Sequence, residues 1–283
     1  MVNCPGPVPK SQQPAGARNN STIAAPVSSS DLASLVDART WTSGGGNTYP
    51  GADVPSGMTQ WSPDTKPLRV AGGGYNYGDT QLTGYALTHI SGPCCGAAGD
   101  VPILPITGAL PSGNPNSVNT VFSHDGEVAQ AGYYSAQSNQ PDTVTSEFTA
   151  TQRTSMGRFD FPATTQAGFL IKLQDSQNGD FGDSAQVVGS NEMTGTDTGG
   201  HFCGETNNDG QVQEYTAHFD IVFDHPFTSW QVITQPGQSD PAAVLVNLLR
   251  PAGHLTMTPQ LAGTAPARSA RTMSPPRRTG GFR

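Results

Sequence analysis

The chain has 283 residues, of which 34% are hydrophobic and 13% are charged, and it contains 34 glycines and 24 prolines. This composition favours short strands joined by many turns, and therefore an all-β domain over a helical one. The formal net charge is −8, and residues 250–283 hold six arginines without an acidic residue, which leaves 8 basic against 22 acidic side chains in residues 1–249. An acidic body repels phosphates, so we expect no nucleic-acid partner, and no apolar run approaches the ~18 residues that a membrane span needs.

The first 35 residues are predicted to be a disordered leader, because Pro, Ser, Ala, Asn and Gln dominate them without hydrophobic periodicity. One helical turn is predicted within residues 31–37. The first 30 residues lack the apolar core of a signal peptide. Two explanations stay open: a cytoplasmic protein, or a chain whose true N-terminus is lost or misassigned.

The central region divides into a glycine-rich part and a strand-rich part. Residues 40–110 are dense in Gly and Pro, which excludes long helices and indicates tightly packed backbone. From residue 117 onward, nine short segments rich in β-branched or aromatic residues are separated by turn residues, and two of them alternate apolar and polar side chains. This spacing predicts an antiparallel β-sandwich. The nine predicted strands are Ser117–Phe122, Gly132–Ala136, Val144–Thr151, Met156–Phe161, Gly168–Gln174, Ala185–Val188, Glu192–Thr196, Tyr215–Phe223 and Ser229–Ile233.

The character of the sequence changes near residue 249, so we place the sandwich domain at residues 36–248 and a basic Pro/Arg-rich tail at 249–283. One explanation is a disordered basic tail. The other is out-of-frame translation, which the abrupt change within the strand-like segment Ala242–Leu249 favours.

The four cysteines are Cys4, Cys94, Cys95 and Cys203. None forms a C-x-x-C pair, which argues against a zinc site. Two alternatives stay open: a disulfide between Cys203 and one of the adjacent pair, or buried free thiols.

Four glycine- and aromatic-rich stretches occur in a specific order. They are Gly44–Thr65, Gly73–Tyr77, Gly84–Pro105, and Phe122–His124 followed by Gly132–Tyr134. Together they resemble the N-terminal domain of glycoside hydrolase family 92, the calcium-dependent exo-α-mannosidases, over residues 36–245. The resemblance implies a large antiparallel β-sandwich of the galactose-mutarotase-like supersandwich type.

The resemblance also implies a function that this chain shares with a second domain. The family removes terminal α-linked mannose from mannose-containing glycans with inversion, and inversion needs two carboxyl groups on opposite faces of the sugar. In the family those groups and most calcium ligands come from an (α/α)6 domain, which we do not find in this chain. We therefore expect the sandwich to form one wall of the sugar pocket and to be inactive alone. The alternative is a stand-alone carbohydrate-binding sandwich; an extracellular location follows from the resemblance only.

The candidate sugar-binding residues lie in the four matching stretches. Glycines let backbone N–H groups approach hydroxyls, and aromatic faces stack on pyranose rings. The stacking candidates are Trp61, Tyr75 and Tyr77, which are equally suited to fill the core. His89 and Asp100 are candidates for bonding hydroxyls, with a structural tie between loops as the alternative for His89. No catalytic residue and no metal ligand is predicted here. The full set is Gly45, Gly46, Asn47, Tyr49, Trp61, Tyr75, His89, Ser91, Gly92, Cys95 and Asp100.

The sequence departs from the family pattern in several places. Ser56 stands where Phe is usual, and Cys94 stands where Gly is usual. The stretch Leu68–Ala71 lacks a Trp that many members have there. These departures, together with the tail, favour a decaying or mispredicted gene.

Overall fold

The computed structural model describes residues 32–69, 72–110, 113–139, 142–200, 202–204 and 214–263. Most of the predicted leader, Cys4, and the end of the predicted tail lie outside these residues. Within them no helix is long and apolar enough to cross a membrane.

Antiparallel strands make up nearly all of the described secondary structure, which confirms the predicted all-β sandwich. Three single turns of 3-10 helix lie at Leu32–Leu35, Pro115–Ser117 and Phe202–Gly204. The twelve strands of the described chain are β1 (Ser62–Lys66), β2 (Gln81–Ala86), β3 (Ile103–Thr107), β4 (Thr120–Gln130), β5 (Tyr133–Asn139), β6 (Thr143–Ala150), β7 (Ser155–Lys172), β8 (Ser184–Val188), β9 (Glu192–Gly199), β10 (Tyr215–Phe223), β11 (Phe227–Thr234) and β12 (Pro241–Gly263).

Two long strands join the layers of the sandwich. The first part of β7 pairs with β6 and its second part pairs with β3, while β12 runs antiparallel to β7 over most of its length. β12 likewise pairs first with β11 and then with β10, and its register shifts between Leu248 and Arg250. A strand that changes neighbours at a bulge passes from one layer to the other. The remaining strands extend the sheet in the order β1-β2-β4-β5-β6 on one side and β10-β9-β8 on the other.

Aromatic side chains fill the space between the layers. The Trp61 ring lies 4.3 Å from the ring of Phe148, which lies 5.6 Å from Phe159. The Trp61 indole N–H donates to the carbonyl oxygen of Tyr85 at 3.1 Å, so the polar atom of the largest core residue is satisfied.

The structure extends the sandwich beyond the predicted boundary at residue 248. β12 continues to Gly263, and Leu255, Met257 and Leu261 are buried at alternating positions. The predicted tail is therefore wrong for residues 249–263, which form the second part of β12. Few residues of this segment are apolar, but they alternate with polar residues, and this is enough to pair the segment with β7 and β10.

Candidate functional site

Residues from four segments of the chain line a cavity of about 260 Å³. Most of its wall comes from the loop between β2 and β3, and the rest comes from the approach to β1, the 3-10 turn at 202–204 and the first residue of β10. The loop needs left-handed backbone: φ is 83° at Gly99 and 105° at Gly92. A Cβ on Gly99 would lie 2.8 Å from Cγ of Gln177, so only glycine fits there. The lining residues are Gln60, Thr88, His89, Ile90, Ala98, Asp100, Phe202 and Tyr215.

Asp100 is the buried acid of this cavity. Its carboxylate accepts hydrogen bonds from the Thr88 hydroxyl at 2.6 Å and from the Tyr215 hydroxyl at 2.8 and 3.1 Å. Burial raises the pKa of Asp100 and, together with the Asp100 charge, raises the pKa of the Tyr215 phenol. Tyr215 therefore remains a hydroxyl donor, and Asp100 keeps free acceptor capacity at the cavity wall.

His89 is buried and bonded through both ring nitrogens. Nδ1 lies 2.8 Å from the carbonyl oxygen of Gln60, and Nε2 lies 3.2 Å from Oδ1 of Asp64. Both facing atoms are oxygens of the protein, so the two ring nitrogens are engaged within the fold. The Tyr49 ring lies 5.3 Å away. The histidine ties its loop to β1 and meets the cavity without a free nitrogen.

A network of buried charged side chains surrounds Asp64, the hydrogen-bonding partner of His89. Arg69 bridges Asp64 at 2.6 Å and Asp175 at 3.2 Å. Asp175 in turn faces the fully buried Lys172 at 3.3 Å, and burial lowers the pKa of that lysine to about 8. A Cβ on Gly74, where φ is 69°, would overlap Oδ1 of Asp64. The network fixes the cavity wall to the second half of the sandwich.

Three further acids lie electrostatically close to Asp100. Burial raises the pKa of Asp180 to about 6 and that of Asp183 to about 7, and nearby carboxylates add to both shifts. Asp197 is fully buried, and its pKa is raised well above the usual range by burial and then by these acids. Its Oδ2 accepts the Val101 N–H at 2.9 Å.

The calcium ion of the family is not matched by ligands here. Among the described residues no three His, Cys, Asp or Glu side chains are grouped so that they could hold a metal ion. We therefore assign no step to calcium on the described residues.

The structure brings part of the predicted site together. His89 and Asp100 line the cavity. Asn47 donates through Nδ2 to the Pro93 carbonyl at 3.1 Å, and its own carbonyl accepts the Gly92 N–H at 2.9 Å, which docks its loop beside the cavity loop. Tyr49 contacts His89 in the same place.

Other predicted residues lie elsewhere. Trp61 and Tyr75 are 0% exposed, so the core alternative is the one observed and neither ring is a stacking platform. Gly45 and Ser91 are exposed loop residues, and Gly46 packs against Trp41. Cys95 forms a disulfide with Cys203, and no described cysteine is free, so the free-thiol alternative is wrong.

Several lining residues were not singled out as candidates from the sequence. Thr88 lies beside His89 in the third matching stretch, and this position could have identified it as a candidate lining residue. Tyr215 is 115 residues from Asp100 in the chain, and Phe202 enters the cavity through the disulfide-anchored turn. Nothing in the local sequence of either residue indicates this placement.

Comparisons with known proteins agree with the fold. The model of the glycosyl hydrolase family 92 N-terminal domain matches residues 35–259. The family GH92 glycosyl hydrolase ccman5 is 25% identical, with a TM-score of 0.68 over 82% of this chain and 32% of that chain. The α-mannosidase BT3965 of Bacteroides thetaiotaomicron is 23% identical, with a TM-score of 0.68 over 82% and 33%. The inverting mannosidase BT2199 of strain VPI-5482 is 24% identical, with a TM-score of 0.63 over 78% and 29%. No curated protein matches the chain.

Fold and comparisons together define the N-terminal β-sandwich domain of a glycosyl hydrolase family. The chain belongs to glycoside hydrolase family 92. It spans about a third of the length of the solved relatives that it matches. BT3965 has also been solved in complex with mannoimidazole.

Proposed function

We propose that this chain forms the sandwich wall of a pocket that binds the terminal mannose of α-mannosides. The observation that carries the proposal is the cavity at Asp100, where the hydroxyls of Thr88 and Tyr215 each lie within 2.6–3.1 Å of the buried Asp100 carboxylate. A neutral polyol suits such a wall because its hydroxyls donate to the carboxylate without adding charge.

We further propose that hydrolysis requires groups beyond this chain. Inverting hydrolysis needs an acid at the leaving oxygen and a base on the opposite face of the ring. Asp100 is the one acid among the described lining residues. A helical (α/α)6 partner domain, with its calcium ion, supplies the second set of groups in this proposal. The chain by itself releases no mannose from α-1,2-mannobiose in the presence of calcium, and turnover by the pure chain would contradict this part.

Calorimetric titration with methyl α-mannoside tests the binding role. Half a pocket gives a dissociation constant of about 1 mM, near −4 kcal/mol. We expect Asp100→Asn and Tyr215→Phe each to weaken the binding of methyl α-mannoside by roughly tenfold. The first variant removes the group that carries the charge, and the second removes the hydroxyl that orients it. Asp142→Asn, at an exposed position, and Tyr133→Phe, whose hydroxyl bonds Glu147, are the matched controls. A flat response at high sugar would remove both the pocket-wall hypothesis and the stand-alone binding hypothesis.

A further inference from the structure

β11 is the outermost strand on its side of the sheet. Within the described chain it pairs with β12 alone, and no described strand lies along its other edge. Residues 228–232 are all exposed, including Trp230 at 53% and Val232 at 38%. The free edge of such a strand presents backbone N–H and C=O groups that can pair with a further strand.

The sequence of β11 lacks the features that usually protect a free edge. Charged side chains or proline at an edge strand normally prevent its pairing with another chain. Phe227–Thr234 contains neither, although the chain has 22 acidic and 14 basic side chains. At the other end of the sheet, the outer strand β8 has Val188 opposite Glu192 of β9, so a charge lies next to that edge. β11 is therefore the edge that is better suited to accept a further strand.

The regular part of β11 is symmetric about one residue. Its register with β12 shifts between Phe227 and Ser229 and again between Ile233 and Thr234. The undistorted ladder is therefore Ser229–Ile233, with Gln231 at its centre. Because a bulge interrupts pairing and bends the strand, a further strand can pair regularly with these central residues only.

An antiparallel copy of β11 fits this edge when a two-fold axis passes through Gln231. Trp230 then lies opposite Val232 of the other copy at two equivalent positions, and aromatic–β-branched pairs across strands are favourable. Ser229 faces Ile233, Gln231 faces its own copy, and no like charges meet. A second copy brings an edge that is as free of charge as β11, whereas a charged strand would find no counter-charge within residues 227–234.

We propose that β11 joins two copies of this chain in a symmetric dimer whose sheet continues across the two-fold axis. The ladder is short, so the interface is small and the dimer forms reversibly with a dissociation constant in the micromolar range. This association does not depend on the proposed sugar-binding role.

Sedimentation velocity of the full chain, at concentrations from micromolar to hundreds of micromolar, tests the dimer. We expect the weight-average mass to rise from the monomer value toward twice that value. Val232→Glu weakens the association by roughly tenfold or more, because its carboxylate would lose water beside Trp230 of the other copy at both equivalent positions. Val121→Glu is the matched control and keeps the association: Val121 is 43% exposed on β4, which has a strand paired on each side.

Two outcomes of this experiment contradict the proposal. A chain that stays monomeric at every concentration shows that the edge of β11 is free in solution or covered within the chain. A dimer that forms equally well in Val232→Glu uses another surface.

Cysteine cross-linking tests the register. Opposed residues of an antiparallel pair have Cα atoms about 4.5–5.5 Å apart, within the range of about 4.4–6.8 Å that a disulfide spans. Gln231→Cys therefore gives a disulfide-linked dimer under mild oxidation. Ser229→Cys gives none, because residue 229 and its copy would lie about 14 Å apart along the strands. The wild type sets the background, and equal cross-linking of the two variants would overturn the axis at Gln231.

The dependence on salt is an independent readout. Each copy has a formal net charge of −8, so two copies repel each other at long range. Added salt screens this repulsion, and we expect it to tighten the dimer. A dimer that weakens as salt is added would be held by ion pairs, which the uncharged edge of β11 cannot form.

Discussion

Asp64 has no exposed surface, and its two carboxylate oxygens contact Arg69, His89 and Gln177. Its position directly after Pro63 is typical of a residue that caps a turn. The structure instead places it in β1 at the centre of a buried charge network. A charge in this position is stable only while its partners remain, since each would otherwise be left unpaired away from water.

Replacing Asp64 by Asn therefore destabilises the chain far more than its size change implies. We expect a loss of about 3 kcal/mol in the free energy of unfolding, because Arg69 keeps Asp175 but loses its shorter ion pair. Asp37→Asn, at an ion pair with Arg39 in which Asp37 is 54% exposed, costs below about 1 kcal/mol. Urea titration of both variants measures the difference; equal losses would contradict the role of the network.

At the level of single residues, the sequence indicates the chemistry of a side chain more readily than it indicates whether that side chain is buried. The polar loop residues His89 and Asp100, both candidates from the sequence, line the same cavity, and their role in sugar binding stays a prediction. Trp61 and Tyr75 were ambiguous, since an aromatic ring fits a core and a sugar platform equally well. The strand register decides which side of the sheet a ring faces. That register is difficult to predict from a glycine-rich sequence.

Among the elements, the strands between residues 117 and 234 were largely predictable, whereas the strands before residue 117 and the long strand β12 were not. The predicted segments over 144–151 and 215–223 match β6 and β10 closely, because one face of each alternates toward the core. β3 is buried at all five positions and contains a proline, so it shows neither alternation nor a clean apolar run.

The acids between β7 and β9 make stability depend on pH. Asp180 and Asp183 have pKa values raised to about 6 and about 7 by burial, against an ordinary value of 3.8 in the unfolded chain. Between about pH 4 and pH 7 the folded state thus binds more protons than the unfolded state. These groups contribute a stabilisation of the folded state that is fully present below about pH 4. This stabilisation decreases as the pH rises from about 4 to about 7.

Asp183→Asn isolates this contribution. The wild type loses on the order of 2 kcal/mol through Asp183 between pH 5 and pH 8, and the variant loses correspondingly less, because Asn cannot titrate but can still accept the Thr198 N–H. Thermal unfolding midpoints at several pH values measure the slope, with Asp142→Asn as the exposed control. A variant with the wild-type slope would show that burial of Asp183 does not govern its proton binding.

At the scale of the whole molecule, a disulfide within the described residues links two distant parts of the chain. The disulfide between Cys95 and Cys203 joins the cavity loop to the turn that carries Phe202, across a sequence separation of 108 residues. The Cys203 N–H also donates to the Gly96 carbonyl at 3.0 Å. The disulfide reduces the conformational entropy of the unfolded chain. It also holds Phe202 in the cavity wall.

The double variant Cys95→Ala/Cys203→Ala tests both effects. Removing a cross-link over a loop of this length lowers the free energy of unfolding by about 2–4 kcal/mol, because the unfolded chain regains loop entropy. Replacing both residues avoids an unpaired thiol beside Cys94 that would exchange with another disulfide. We expect the urea midpoint to fall and the affinity for methyl α-mannoside to weaken, since Phe202 loses its anchor. An unchanged midpoint would exclude the entropic role, and a lower midpoint with unchanged affinity would show that β10 and the β2–β3 loop position the cavity without the turn.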